Sequence, residues 1–588
     1  MITADPTKRA HIVDEVQRIV AETAAADDRD LLRGFADVVL AELPDSVVFR
    51  LPAPAVAARL GEYFRFIAHT MPPEVQLYKG LPGLHVAVRH PDDAEDRAMA
   101  GHDGGPHEVT IVETHTPDAP FIFESLTNFF KNEGLRVFSA IHPRFTVRRQ
   151  WERVVHVDVH GEEGSQELFC QFRIERIDRT DRMRRLEHQI FSLLKSVFLA
   201  VSDFAAMAAS VKAAGGRVRG RDGDATAAEG SRRLLEWLVA DNFVLLGVMR
   251  YVPGGDGVLQ PQDDSALGAF RDPSLLETVF PGLTADITRN LAPAVDDERI
   301  IDIDYCVNGR AIHHLGPLED VFVREWTADG ALAGMTLAIG RFAKSAFASR
   351  AADIPVLDEK LTYILEHLHV PRNSHAWREA RAIFNHFPKR ELFYARREDL
   401  CTIVEQMVNL VGDDEIAGTV RQGMGYASVT VAFSDVRYSP QAEASLRAAL
   451  TQTFGPILFS EWSDLGTKAV IVFYFDAAQL EAPIDVDTVR ALTRQSVTTW
   501  EDQVALELEH AYGTIEGRRL FNKYVRTESR SGLYRETTRA TEVPADLARL
   551  EALEGRLEMT VLPEAADHVT IKLFAPAPLG LTDTLRTL

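Results

Sequence analysis

The chain has 588 residues, 46% hydrophobic and 26% charged, a globular balance that excludes disorder over most of its length and exceeds what one core covers at about 150 residues per domain. Its formal net charge of -23 argues against a nucleic-acid partner, because a phosphate backbone needs clustered Lys and Arg. Cys170, Cys306 and Cys401 lie far apart in no metal or disulfide pattern, the N-terminus is not signal-like, and no run approaches the ~18 apolar residues of a membrane span. A cytoplasmic chain with reduced thiols and no membrane partner is expected.

His11 to Leu40 carries two amphipathic helices, with Ile12, Val16 and Ile19 on one face and Leu31, Phe35, Val38 and Val39 on another. A third helical pattern runs from Val56 to His69, before a strand at PGLHVAVRH and a polar loop, PDDAEDRAMAGHDGG, whose acids and histidine lack metal-ligand spacing. The next stretch is the most legible. Val109 and Ile111 alternate in a β-branched run, and Thr116, Pro117, Asp118 and Pro120 close that strand. Ile122, Leu126, Phe129 and Phe130 then recur at helical spacing, with a stop at Gly134. RVFSAIH, FTVRR and ELFCQFRI predict strands, and Asp181 to Ala214 a long helix with Leu186, Ile190, Leu193, Leu194 and Val197 on one face. Strand, helix, strand, strand, helix is the order of a ferredoxin-like unit.

Ala213 to Gly230 holds five glycines and no apolar period, which reads as a linker. Beyond it a helix at SRRLLEW precedes strand patterns at NFVLLGVMRY, RIIDIDYCV, DVFVREWT and LAGMTLAIGRFA, predicting a mostly antiparallel sheet. His313 and His314 beside it read as packed or solvent-facing, not as ligands. Pro355 to Arg396 is helical. The first pattern then recurs: YASVTVAFS is a strand, YSPQAEASLRAALTQTFG a helix stopped at Gly455, PILFSEW and KAVIVFYF are paired strands, and a helix from Val497 carries Trp500, Val504 and Leu508 on one face. Trp500 reads as a packing anchor. RLEMTVLPE and HVTIKLFAP are two last strands, and Leu581, Leu585 and Leu588 begin an apolar helix without a stop signal, so the chain is expected to break off inside a third unit.

TPDAPFIFESL, its helix and GLRVFSAIHPRFTVRR resemble the first ACT-like unit of the large bacterial NAD-specific glutamate dehydrogenases. Asp241-Asn242-Phe243 after a Trp-Leu helix, the phrase from Phe387 to Phe393, and Trp500-Glu501-Asp502 resemble later phrases of that family in the same order. The resemblance implies an α+β, multidomain chain of ferredoxin-like, ACT-type βαββαβ units, a PAS-like antiparallel sheet and helical connectors. The expected segments are an N-terminal helical part (1–46), a first ACT-like unit with its closing helix (47–212), the linker (213–230), the PAS-like unit (231–352), a helical segment (353–412), a second ACT-like unit (413–495), a helical connector (496–552) and an incomplete third ACT-like unit (553–588).

By the same resemblance, the chain is the N-terminal regulatory and oligomerisation region of an enzyme that deaminates L-glutamate oxidatively to 2-oxoglutarate and ammonium with NAD. A homo-oligomer is implied, with NAD for the parent enzyme and no cofactor or activity in this segment. The sequence agrees that the dehydrogenase domain lies elsewhere, since no G-x-G-x-x-G follows a strand and opens a helix, and GMGYAS at Gly423 precedes a strand. ACT domains generally take a small effector, often an amino acid, near the loop between first strand and first helix, which here holds Asp118, Pro120 and Ser125. Asp118 as a helix cap is the competing reading, and Phe121 stands where a glycine is usual. No catalytic or metal residue is assigned. The alternative function is a self-standing amino-acid sensor of ACT and PAS type. Calorimetric titration of this chain with NAD is expected to show no saturable binding, and a micromolar isotherm would reveal a dinucleotide site that no motif marks.

Overall fold

Every residue from Val109 to Thr116 is buried, so the strand they form needs cover on both faces and a neighbour at both edges. The computed structural model describes residues 6–25, 28–43, 52–68, 84–91, 109–150, 153–158, 164–219, 225–255, 258–280, 282–285, 287–288, 291, 299–310, 317–526, 532–565 and 568–576. The chain divides into two compact units, one of 1–404 with 421–428 and 476–478, the other of 405–420 with 429–475 and 479–588.

The first unit begins with α1 (Pro6–Thr23), α2 (Arg29–Glu42) and α3 (Ala53–Ala68). The first sheet follows: β1 (His85–Arg89), β2 (Val109–Pro117), α4 (Ile122–Asn132), β3 (Val137–Ile141), β4 (Arg144–Gln150), β5 (Arg153–Asp158) and β6 (Ser165–Glu175). Its order is β1-β2-β6-β4-β5, antiparallel throughout, with β3 also on β6. Pro143 separates β3 from β4, where a ladder donor is missing. Over one face α4 lays Ile122, Leu126 and Phe130, whose ring sits 4.9 Å from that of Phe172. The other face is covered by the N-terminal helices, whose Phe35, Val39, Leu60 and Phe64 share one core with Phe145, Val157 and Phe169. Residues expected to stand apart as an N-terminal segment are therefore packed into the sheet.

The βαββαβ order is corrected at its last strand. β2 has its two neighbours in β6 and β1, and β1 precedes β2 in the chain instead of following the closing helix, pairing His85 with His115 through to Arg89 with Ile111. The reason is the closing helix α5, Thr180–Arg217, whose 38 residues span about 57 Å and carry the chain away from that edge. α5 also corrects two other expectations. It is long and apolar enough to cross a membrane by length and composition, with a window of mean hydropathy 1.7, yet 67% of that window is buried in the protein. It also runs on through Gly215 and Gly216, and α6 (Ala225–Trp237) starts soon after, so most of the expected linker is helical. Gly215 is buried with Leu235 of α6 only 3.4 Å from where a Cβ would stand, so the glycine lets two helices approach closely.

The second sheet contains β7 (Phe243–Pro253), β8 (Leu259–Pro261), β9 (Leu267–Gly268), β10 (Ile301–Arg310), β11 (Pro317–Trp326) and β12 (Leu332–Phe342), with α7 (Pro273–Val279) between β9 and β10. Its order is β10-β11-β12-β7-β8, with β9 on β7, and the described pairings are antiparallel. His313 and His314 lie outside the described residues. The same α5 fastens to this sheet through the buried Lys195–Asp272 ion pair and through Asp203, which accepts from the Gly268 amide at 2.8 Å and pairs with Arg271 at 3.1 Å. Helices α8 (Lys344–Ala348), α9 (Leu357–His367), α10 (His375–His386), α11 (Lys389–Tyr394) and α12 (Arg397–Asn409) follow.

The second unit repeats the first sheet's plan. β13 (Ala417–Gln422), β14 (Tyr426–Ser434), α13 (Pro440–Phe454), β15 (Ile457–Asp464), β16 (Lys468–Asp476) and α14 (Val486–Val497) give the order β13-β14-β16-β15, again with the outer strand preceding its neighbour in the chain. Val431, Phe433, Ile471 and Phe473 meet Leu446, Leu450 and Val489 of the two helices. The closing helix is thus α14, not the one carrying Trp500. That helix, α15 (Trp500–Tyr524), opens with a capping box of Thr499 and Asp502, and packs Val504 and Leu508 on Val543 and Leu547 of α17 (Val543–Ala552), beyond the short α16 (Gly532–Thr537). The Trp500 indole donates to the Thr538 carbonyl at 2.7 Å, as a packed anchor does. A hairpin of β17 (Glu558–Ala565) and β18 (His568–Phe574) ends the described chain, and Leu581, Leu585 and Leu588 lie outside it.

Gly268 has φ 62°, and a Cβ there would stand 2.4 Å from the Leu246 carbonyl oxygen, whereas Gly216 has open space around it. Gly268→Ala is expected to lower stability by more than ~1 kcal/mol and Gly216→Ala to raise it by ~0.5 kcal/mol, read by denaturant unfolding of the two variants.

Candidate functional site

The loop after β2 is where the sequence placed a ligand, and the structure sets Asp118 at the strand's end, Pro120 exposed, and Ser125 on the buried side of the first turn of α4. The capping alternative is overturned: the N-cap is Phe121, in the left-handed region at φ 74°, and no side chain caps the helix. Backbone curvature that a glycine would supply is thus imposed on a phenylalanine, which leaves 40% of its surface in solvent. Asp118 is held by its own amide, which donates to the Gln166 carbonyl at 2.8 Å, and by Arg144, 3.5 Å from Oδ1. Among the described residues Thr116 Oγ1 is shielded from solvent without a hydrogen-bond partner, and the equally shielded Asp118 Oδ1 has no hydrogen bond beyond its ion pair with Arg144. A buried polar atom without a partner costs about 1–3 kcal/mol, so Thr116 Oγ1 leaves polar capacity unused at a strand end that lies beside the positive end of a helix. Cys170 near them is inert, because burial pushes its thiol up to about 12.

Behind the loop, on the opposite face of the sheet, lies an ion network. The Glu167 carboxylate accepts from His115 at 2.7 Å, from Arg149 at 2.9 and 3.1 Å, and from the Ser165 hydroxyl at 3.1 Å. Burial alone would raise its pKa, but the bonds from His115 and Arg149 outweigh that and hold it at about 2. Arg149 also donates to the Ile67 carbonyl, and Tyr63 to Gln171, so the network fastens α3 to the sheet.

A second buried cluster was not legible in the sequence. Arg390 and Glu391, adjacent on α11, point to different partners: Arg390 pairs with Glu319 of β11 at 2.9 Å, and Glu391 takes a forked pair from Arg421 at 2.8 and 3.0 Å. Tyr426 donates to Asp304, and Ser428 donates to Glu391 at 3.0 Å. Burial and the like charge of Asp302 push Asp304 up to about 6. Lys360 caps the end of α11, donating to the carbonyls of Leu392, Phe393 and Ala395 at 2.7, 3.1 and 2.7 Å. The only advance signal was charged residues inside the apolar phrase from Phe387 to Phe393. The GMGYAS turn belongs here too. Its Gly423 amide donates to the Tyr426 carbonyl at 2.9 Å, and the Tyr426 ring fills the space a Gly423 side chain would take, so the turn is packed, not a phosphate cradle.

Comparison with known proteins bears on both regions. A family model described as glutamate dehydrogenase, ACT1 domain, matches residues 62–190, and one described as glutamate dehydrogenase, helical motif 1, matches residues 354–413. A curated relative, the NAD-specific glutamate dehydrogenase of Halomonas elongata, is 21% identical over 527 residues. The chain is thus similar to the large NAD-specific glutamate dehydrogenases in these stretches. The alignment covers 85% of this chain and 32% of that relative, so the chain spans about a third of the relative's length. Within the family frame, the ACT1 match contains the Asp118 loop and the Glu167 network, and the helical-motif match contains Lys360, Arg390 and Glu391.

The pKa of Glu167 is lowered from 4.5, so its contribution to stability is complete above about pH 4.5 and is lost as pH falls towards 2. Acid titration of unfolding stability is expected to lose about 3 kcal/mol through this group, and Glu167→Gln to be less stable at neutral pH yet flatter across that window.

Proposed function

We infer that this chain is the regulatory and assembly region of a cytoplasmic NAD-dependent glutamate dehydrogenase, and that its first ACT-like unit senses a small amino acid. The parent enzyme, by kinship with the Halomonas protein, deaminates L-glutamate to 2-oxoglutarate and ammonium, with NAD as cofactor and a homo-oligomer as its working form. The observation that carries the sensing role is the unpartnered Thr116 Oγ1 beside the Asp118 carboxylate, whose Oδ1 has only its 3.5 Å ion pair with Arg144, at the end of β2. An α-amino acid matches both poles of that place: its ammonium suits the Asp118 carboxylate and the Thr116 hydroxyl, and its carboxylate suits the N-terminus of α4. The second sheet, with its first strand β7 between the last strand β12 and the short β8, is the part read as PAS-like.

A thermal-shift screen of the chain against the common amino acids is expected to give at least one saturable stabilisation. Asp118→Asn should weaken that ligand by about tenfold or more, the worth of a charge-assisted bond, and Thr116→Val should weaken it less. Stabilisation by no amino acid, or one unchanged in both variants, would remove the sensing role.

A further inference from the structure

A cavity lies away from the ACT-like loop, between α10 and the segment that follows β12. It is a cleft of about 690 Å³, within the range of small-molecule sites. Its walls carry Arg350, Arg378, Arg381, Lys389 and His386, with Trp377 as an aromatic side, and no lining residue bears a carboxylate. In a chain of net charge -23 a cavity with four permanent cations and no acid is a local reversal of sign.

The arrangement follows from the helix. Trp377, Arg378 and Arg381 fall at spacings of three and four on α10, which puts them on one face beside Asn385. The Arg381 guanidinium lies 4.8 Å from the Trp377 ring, a contact that holds its fork without using its charge on an anion. Asn385 accepts from the Ala352 amide at 3.0 Å, fixing the opposite wall to the helix, and Lys389 donates to the Phe347 carbonyl at the floor. No ion pair to Arg350 or Arg381 is found among the described residues. Burial lowers the pKa of Lys389, as expected for a cation whose position an anion would improve.

We propose that this cleft binds a small molecule through a di- or triphosphate group, read by the guanidinium forks of Arg350, Arg378 and Arg381. Phosphate suits these residues because arginine donates in a planar fork, and convergent charges on several segments favour a compact multivalent anion over a single carboxylate. The cleft's size, about 690 Å³, favours a small molecule over an acidic peptide, which needs an extended groove. The ligand has two sources with one chemistry: free inorganic pyrophosphate, or a nucleoside phosphate whose base also uses the Trp377 side.

The test is calorimetric titration of the full chain, at about 50 mM salt so that screening is modest, with pyrophosphate and separately with ATP. Saturable binding of either probe below about 1 mM is expected, weakened about tenfold or more in the Arg350→Gln/Arg378→Gln variant, whose two exposed side chains leave the core alone. Tighter ATP than pyrophosphate identifies a nucleotide site; equal affinity identifies a site for the phosphates alone. Arg381→Lys keeps the charge and loses the fork, and should weaken both probes without altering the melting temperature by more than about a degree. Failure of both probes to bind below about 10 mM, binding unchanged in the double variant, or capture of a polyglutamate peptide in preference to both probes would overturn the proposal.

Discussion

The first unit depends on one helix that has to be covered from two sides. α5 is apolar over a length that could cross a membrane, and its burial requires partners along most of it. Leu186, Ile190 and Leu194 are buried in its first half, and Met207, Val211 and Ala214 in its second. Two sheets and α6 are the partners, so the helix that closes the ACT-like unit is also a core element of the next one. Its single buried cation, Lys195, meets Asp272 and keeps the register between helix and second sheet. A neutral apolar helix of the same length could slide by a turn; a buried ion pair cannot, because separating it strands a charge at a cost of about 3–5 kcal/mol.

The same logic repeats wherever a charge is inside. Glu167, Glu319, Glu325 and Glu391 are each almost fully buried, and each meets an arginine. Such pairs add little net stability, since desolvation offsets most of the attraction, but they penalise every alternative packing that separates them. In this protein they sit at junctions: α3 on the first sheet, α5 on the second, and α11 between β10, β11 and the turn before β14. We read them as the elements that give the helical motif a defined position.

Against this background, two places bear on the proposed ligands. At the end of β2 stand a carboxylate and a hydroxyl; in the α10 cleft stand guanidinium groups, of which Arg350 and Arg381 have no ion pair among the described residues. A ligand that carries an ammonium suits the first, and a ligand that carries phosphates suits the second.

Local pattern determined much of this protein. Period-two runs at Val109 and Val429, period-3.6 runs at Ile122 and Ala442, and the stops at Gly134 and Gly455 are set by neighbouring residues, and the structure places strands, helices and ends there. The position of Asp118 at a strand end was legible for the same reason. What the sequence could not decide is which distant segments meet. That β1 would take the outer edge of the first sheet follows from where the long α5 delivers the chain, not from any residue in that strand. That Gly215 would be helical shows only in the packing of α5 on α6, and that Asp118 would not cap α4 follows from Phe121 being driven into a left-handed turn. The pairing of Asp304 with Tyr426 joins residues 122 apart in sequence, and that of Arg390 with Glu319 joins residues 71 apart. Their charges read as ordinary surface groups until burial, a tertiary property, makes each one require the other.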